Sequence, residues 1–362
     1  VNSLFVAATR QNDGKTSVAL GLFEALRRRF SSVAYMKPVG QQYRVVDGQK
    51  IDKDAVLFKQ VYSLPDDLAD MSPIAVPSGF TEAYIADPCP EVLHQKISTA
   101  FSRLSAAHEM VLIEGTGHGG VGAVFDTSNA DVASHLGAPV VLVTLGGIGK
   151  AMDELLLNKA FFESRGCRIL GVIINKVHPA KWDKIHASLS ASLARHNLPL
   201  LGMVPYTELL TQPTIQELYE ELDADLLCGH AGLTNRVHKV VVGAMLPHHA
   251  MEYFTQGTLL IVPANREDLI ITALCGRMFG ELNYDVSGII LTGGLAPHQK
   301  IYDLIERVNV PLLLVQEDSF TISSKINRLL VKLRAEETEK LTTIQTLVET
   351  HIDMEALCQG YL

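Results

Sequence analysis

The sequence predicts an α/β protein: a P-loop parallel sheet with helices on both faces, followed by a second, smaller α/β domain. Three observations predict it. Short apolar, β-branched runs alternate with longer amphipathic stretches, the order expected of strand–helix–strand units. Those runs are continuously apolar, without polar alternation, as strands covered on both faces must be. The first run passes directly into Gly14-Lys15-Thr16 and a helical stretch.

In chain order, strands are expected at Leu4–Ala8, Ser32–Lys37, Met110–Glu114, Val140–Leu145, Ile169–Asn175 and Leu200–Val204. Helices fill most of the gaps, at Thr16–Phe30, Asp52–Tyr62, Pro90–Ala107, Ala151–Arg165, Lys181–His196 and Ile215–Leu222. From Asp223 to Arg236 the composition turns polar and Gly-containing, which marks a linker. A second set of strands follows at Lys239–Met245, Thr258–Pro263, Ser287–Leu291 and Pro311–Val315. The expected organisation is therefore a nucleotide-binding domain over 1–222, a linker over 223–236, a second domain over 237–333 and a helical tail over 334–362, with its helix at Leu341–Glu349. At about 150 residues per domain, 362 residues accommodate this division, and 47% hydrophobic content suffices for a core in each part.

Composition excludes several function classes. Thirty-one Lys and Arg against forty Asp and Glu leave a net charge of −9, which gives nucleic acid or an anionic membrane no long-range attraction. The apolar runs, such as Pro139–Leu145, are far shorter than the ~20 residues that cross a bilayer, and the start is too polar for a signal peptide, so a cytoplasmic protein is expected. Cys89, Cys167, Cys228, Cys275 and Cys358 are odd in number and widely spaced, with no C-x-x-C pair, against a disulfide framework or structural zinc.

The chemistry concentrates in the segment Leu4–Thr16. A loop that wraps backbone N–H groups around phosphate needs Gly at the closest approach, Lys to neutralise the terminal phosphates and a hydroxyl for Mg²⁺. Gly14, Lys15 and Thr16 supply these, although Thr9 stands where the strict pattern has Gly. The loop and first turn, Arg10, Asn12, Asp13, Gly14, Lys15, Thr16 and Ser17, are the expected nucleotide contacts. Magnesium needs acids from other loops of the same sheet edge. Glu114, closing a buried strand, is one candidate, because a charge there is expensive unless it faces a ligand. Asp54 is the second; complementing the dipole of its own helix is its competing role. Gly115-x-Gly117-x-x-Gly120 also spells a dinucleotide fingerprint, but Val121–Ser128 intervene before the next helical stretch, and a mobile loop beside the γ-phosphate is the better reading.

Taken together, the segments A-T-R-Q-N-D-G-K-T (8–16), M-K-P-V-G (36–40), D-K-D-A-V-L (52–57), I-E-G-T-G (113–117), V-I-I-N-K-V (172–177) and L-G-M-V-P (201–205) resemble dethiobiotin synthetase. The resemblance runs from residue 3 to about 210 and includes the amino-terminal domain of long-form phosphate acetyltransferases and the synthetase domain of cobyrinic acid a,c-diamide synthase. It implies ATP and Mg²⁺ as cofactors and a homodimer or higher homo-oligomer. It further implies that Lys15 binds the phosphates, that Thr16, Asp54 and Glu114 surround Mg²⁺, and that Lys37 stands at the phosphoryl-acceptor end, with Lys15 and Lys37 carrying the transfer. Asn175 would read the adenine edge, its amide donating and accepting at once, with Pro205 packed on the ring. Arg10 lies where related dimeric ATPases carry a lysine that crosses the subunit interface; an ion pair within its own loop is the alternative. Ala8 stands where dethiobiotin synthetase has Gly, and no grip for its diamine substrate is recognisable.

The segments N-R-V-H-K-V-V-V-G-A-M (235–245), G-T-L-L-I-V-P-A-N-R-E-D-L-I (257–270) and I-L-T-G-G (290–294) resemble the domain named DRTGG, which follows the synthetase-like domain in those acetyltransferases. The sequence ends where their catalytic domain would begin, so acetyl transfer is not expected, and neither Cys228 nor Cys275 has the setting of a glutaminase nucleophile. The resulting expectation is a nucleotide-dependent regulatory or sensor module with slow ATPase activity; an ATP-dependent ligase for an unidentified amine or carboxylate is the alternative. A small-molecule effector is expected at Thr292-Gly293-Gly294 and Arg266-Glu267-Asp268, where an anion pocket and an ordinary turn stand as equal readings. His248-His249 and His118 are read as exposed side chains rather than ligands, and Trp182 as a helix anchor.

Overall fold

The computed structural model describes residues 2–280 and 282–359; the end of the expected tail, 360–362, lies outside them. The chain divides into two compact units, one formed by 1–207 together with 333–362, the other by 208–332.

The sheet of the first unit has six strands: β1 (Asn2–Ala8), β2 (Val33–Met36), β3 (Met110–Glu114), β4 (Val140–Leu145), β5 (Ile169–Val177) and β6 (Leu200–Pro205). Their order is β6-β5-β4-β1-β3-β2, and every pairing is parallel. Leu4 to Ala8 and Val140 to Val143 are fully buried, which is why these strands read as unbroken apolar runs. After β1 the chain goes to one side of it for β2 and β3, then returns to the other side for β4 to β6. That reversal opens a crevice at the carboxyl ends of the central strands, the usual ligand position in open α/β sheets. Register pairs Val6 with Glu114 and Leu145 with Asn175, so both residues lie at this edge.

The helices around this sheet follow from local sequence. Lys15–Arg27 starts behind Gly14 in the left-handed region and buries Val18, Leu22, Phe23 and Leu26 at three- and four-residue spacing. Lys53–Tyr62 is capped by Asp52, whose carboxylate accepts from the Asp54 N–H at 2.9 Å. Pro90–Ala107 opens with Pro at its first position and buries Leu93, Ile97, Ala100 and Leu104. Between β2 and this helix lies a hairpin, Tyr43–Val46 with Gln49–Asp52, that the strand and helix assignment passed over. Its turn is Asp47-Gly48, both at positive φ, a turn composition that specifies a two-residue hairpin.

The second unit carries β7 (Asp225–Cys228), β8 (Lys239–Val242), β9 (Gln256–Pro263), β10 (Asp285–Thr292) and β11 (Leu312–Leu314), ordered β7-β11-β10-β9-β8. All pairings are parallel except that of β7 with β11. Three differences from the expected organisation appear. The segment 223–236 is not merely a linker, because it contains the antiparallel edge strand β7. The helix Ile215–Glu221 forms where expected but packs in the second unit, Ile215 and Leu218 being buried with Leu259, Ile261, Ile290 and Leu313. The division thus falls at 207/208, ahead of that helix. The tail helix, Thr338–His351, returns to the first unit: a Cβ on Gly21 would lie 2.3 Å from Val348, and one on Gly202 2.1 Å from the His351 carbonyl. Trp182 meets the same tail, edge-on to His351.

Candidate functional site

The loop between β1 and the first helix closes on itself through a buried acid. Asp13, 1% exposed, accepts from the Thr9 hydroxyl at 2.9 Å and the Arg10 N–H at 3.0 Å. The Thr9 hydroxyl also lies 3.0 Å from that of Thr144 on β4, so the residue that departs from the strict loop pattern ties the loop to the sheet. Burial raises the Asp13 carboxyl above its ordinary value, against the lowering pull of the Thr9 hydroxyl and Arg10. Arg10 places Nε 2.9 Å from Glu154 and 3.6 Å from Asp13. The Asp13 contact is the ion pair within its own loop that is one of its two readings. Gly14 has φ +82°, and a Cβ there would lie 2.3 Å from Asn175 Nδ2, so no side chain fits. Behind Gly14 the N–H groups of the first turn, which includes Lys15, Thr16 and half-buried Ser17, form a helix N-terminus suited to an anion. Asn12 is exposed on the loop with φ 70°.

Four side chains meet beside this turn. Glu114, fully buried, accepts from the Tyr35 hydroxyl at 2.9 Å on Oε2, and from the Thr16 hydroxyl at 2.8 Å and Lys37 Nζ at 2.9 Å on Oε1. Lys37 Nζ also donates to Asp54 Oδ2 at 2.6 Å, and the Thr16 hydroxyl lies 3.4 Å from that oxygen. Burial disfavours charge on both Lys37 and Asp54, but their contact prevails: the Lys37 ammonium is raised and the Asp54 carboxyl lowered from their ordinary values. Asp52 is pushed up to about 6 by burial, with Lys37 opposing. Tyr35 is raised by burial and by the Glu114 charge. Lys15 stands apart from the carboxylates, its Nζ 3.4 Å from the Gly117 carbonyl; burial, reinforced by Lys37, pulls it down to about 8.

The glycine-rich loop after β3 is pinned rather than loose. Asn129 accepts from the Thr116 N–H at 2.9 Å and donates to the Thr116 and His118 carbonyls, both at 2.6 Å. Asn158 accepts from the Gly119 N–H at 2.9 Å and donates to the Thr9 carbonyl at 3.2 Å, joining this loop to the first. Sequence reasoning missed both asparagines. The chain reaches the helix Asn129–His135 only after a turn at Ala123–Phe125, unlike a dinucleotide fingerprint. His118 is exposed and accepts from the Gly120 N–H.

Asn175, two residues from the end of β5, and Pro205, the last residue of β6, lie at the same edge. Asn175 Nδ2 donates to the Asp13 carbonyl at 2.9 Å, and its Oδ1 accepts from the Lys176 N–H at 2.9 Å, so the amide supports the loop from behind. In the second unit the Gly293 and Gly294 N–H groups donate to the Glu317 and Val315 carbonyls, both at 2.9 Å. Arg266 is held by Asp268 and by the Gly243 and Met245 carbonyls. These donors have partners within the protein, as the ordinary-turn reading expects, and the anion-pocket reading stands beside it. The His248 and His249 rings lie 4.1 Å apart, tilted at 48° and exposed, on a four-residue helix.

Among the described residues no group of three His, Cys, Asp or Glu side chains converges on a metal position. The set at hand is two carboxylates and a hydroxyl, all hard oxygens. It suits Mg²⁺, which is held by one or two carboxylates together with substrate phosphates and water.

The chain is similar to several known proteins. The phosphate acetyltransferase of Nitratidesulfovibrio vulgaris is 30% identical over 366 residues, covering 98% of this chain and 51% of the relative. That of Deinococcus radiodurans is 28% identical over 366 residues, covering 98% and 50%. The chain thus spans about half the length of the curated relatives it matches. Among solved structures, the MinC:MinD cell division complex of Aquifex aeolicus is similar over 58% of this chain and 84% of that one, at 13% identity and a TM-score of 0.37. The CBS and DRTGG domains of Clostridium perfringens pyrophosphatase are similar over 44% and 80%, at 21% identity and a TM-score of 0.28. A family model described as DRTGG domain matches residues 217–329, and one described as AAA domain matches residues 2–214. The chain therefore belongs to the AAA domain family, as a P-loop domain followed by a DRTGG domain, the pairing found in the amino-terminal part of long-form phosphate acetyltransferase.

Proposed function

We propose that this protein binds Mg-ATP at the loop 9–16 and works as a nucleotide-dependent regulatory or sensor module with slow ATPase turnover. The observation that carries the reading is the meeting of Thr16 Oγ1, Asp54 Oδ2 and Glu114 Oε1 beside Lys15 at a helix N-terminus. A buried, charged set of this kind is costly to keep without a ligand to face. Lys15 and the first-turn N–H groups would take the phosphates, while Thr16, Asp54 and Glu114 would hold Mg²⁺. The bound ion would supply charge neutralisation at the terminal phosphates. Asn175 and Pro205 would border the base; for Asn175 this means using the lone pair and N–H left over from its hold on the loop. Arg10, Asn12, Asp13 and Ser17 shape or line the loop.

Nucleotide binding is measured by calorimetry with ATP and Mg²⁺. The wild-type chain is expected to bind, and Lys15→Ala to weaken binding by at least about tenfold, the order expected for losing a charge-assisted contact. Absence of binding at millimolar nucleotide ends the proposal. A ligase reading is favoured by one feature, the Lys37 ammonium lying within the same cluster, where the family resemblance would put the phosphoryl acceptor. Phosphate release with ATP alone, then with amines, bicarbonate and carboxylic acids, separates the two: strong stimulation by one compound identifies a ligase, and slow unstimulated turnover a sensor. A homodimer or higher oligomer, a cytoplasmic location and an effector on the second unit complete the proposal. Light scattering and a ligand-induced melting shift test the assembly and the effector. No helix of the described residues is long and apolar enough to cross a membrane.

A further inference from the structure

The two oxygens that would bind the metal are already occupied by a cation of the protein itself. Lys37 Nζ bonds Asp54 Oδ2 at 2.6 Å and Glu114 Oε1 at 2.9 Å, and these are the same two oxygens that Thr16 Oγ1 approaches at 3.4 and 2.8 Å. Lys37 is 4% exposed and Glu114 0%, so water screens their contact poorly, while the Asp54 side chain, 30% exposed, is screened more. A carboxylate pair with one member fully buried is destabilising without a counter-charge. Lys15, the other lysine here, contacts a carbonyl instead and leaves the neutralising role to Lys37.

We propose that Lys37 is a built-in competitor for the metal position: its ammonium substitutes for Mg²⁺ while the nucleotide is absent, and metal entry displaces it. This rests on the magnesium-nucleotide reading above and adds a consequence to it. A divalent ion and an ammonium cannot share two carboxylate oxygens at such distances without strong repulsion. The displaced ammonium needs a new anion, and the nucleotide's terminal phosphates are the chemistry that provides one next to Lys15. Metal and nucleotide therefore bind cooperatively, each raising the affinity for the other. The empty protein discriminates against free divalent ions, and Lys37 delivers its charge to the phosphates only once the metal has arrived.

The test is Mn²⁺ binding to the full chain, read by electron paramagnetic resonance with no turnover required. Wild type without nucleotide is expected to bind Mn²⁺ weakly, and wild type with ADP tightly. Lys37→Met without nucleotide is expected to bind at least tenfold more tightly than nucleotide-free wild type, and Lys37→Met with Glu114→Gln to lose that gain. Tight binding by wild type with ADP, together with a Lys37→Met affinity within twofold of nucleotide-free wild type, overturns the competitor role while leaving the nucleotide reading intact. Absence of Mn²⁺ binding in every arm, ADP included, overturns both. Because Lys37→Met leaves the buried Glu114 and the partly exposed Asp54 facing each other, a measurement on the wild type stands beside it. Acylation of Lys37 by a small activated acyl ester, which forms the amide and releases its alcohol, followed by peptide mass spectrometry, is expected to rise at least fivefold at Mn²⁺ concentrations where resonance shows the ion bound. Unchanged labelling at such concentrations overturns the competitor role.

Discussion

Asp13 is a carboxylate placed inside a loop whose proposed partner is an anion, and its surroundings explain how the fold tolerates it. It faces inward, with the Thr9 hydroxyl, the Arg10 N–H and the Arg10 guanidinium around it, and burial still raises it above its ordinary value of 3.8. For an acid whose folded value is raised, the folded state holds the proton longer, so stability falls as pH rises from about 3.8 through the folded value. Asp13→Asn removes the buried charge while keeping an acceptor for Thr9, and Arg10 retains Glu154. The expected outcome is a higher melting temperature at pH 7 and no difference from wild type below pH 3.8. A lower melting temperature at pH 7 would show that the Asp13–Arg10 attraction outweighs desolvation. Gly14 shows the opposite kind of constraint, because positive φ and the Asn175 amide leave no room for any Cβ.

At the scale of elements, the tail helix Thr338–His351 is part of the first unit's structure. Its Leu341, Ile344 and Val348 are buried, and Gly21 on the first helix allows the two helices to approach closely. Since the first helix begins at the phosphate loop, its seating bears on the site. Ile344→Ala is expected to cost about 2–5 kcal/mol, measured by chemical denaturation of the full chain. A loss under about 0.5 kcal/mol would show that the tail contributes little packing energy. The helix Gly149–Ser164 works through Asn158, which holds the glycine-rich loop and the phosphate loop at once.

For the whole molecule, the two units have separate cores and separate sheets. The segment 208–332 carries the core built from Leu260, Ile270, Leu274, Ile289 and Leu312, and a second one around Ile215, Leu259 and Leu313. Expressed alone, 208–332 is expected to give a cooperative melt; a fragment starting at residue 237 is expected to fail, since it lacks β7 and the helix Ile215–Glu221. Equal behaviour of the two fragments would contradict this division. In the full chain, Mg-ATP at 100 times its dissociation constant is expected to stabilise the first unit by about 2.7 kcal/mol, seen by calorimetry as an upward shift of its transition.

The sequence by itself determined the six parallel strands of the first unit, the loop–helix junction and the identity of Lys15, Thr16 and Glu114 as candidates, because continuous apolar runs and loop chemistry are local properties. The Asp47-Gly48 hairpin was equally local and was passed over. Only the tertiary structure decided which unit owned the helix Ile215–Glu221 and the tail, because amphipathic faces do not name the surface that will cover them. It also brought Lys37 onto Asp54 and Glu114, and gave Asn129 and Asn158 their places under the glycine-rich loop. Those contacts join residues up to 77 positions apart, and pairing between distant polar groups leaves no periodicity or spacing in the chain from which it could be read.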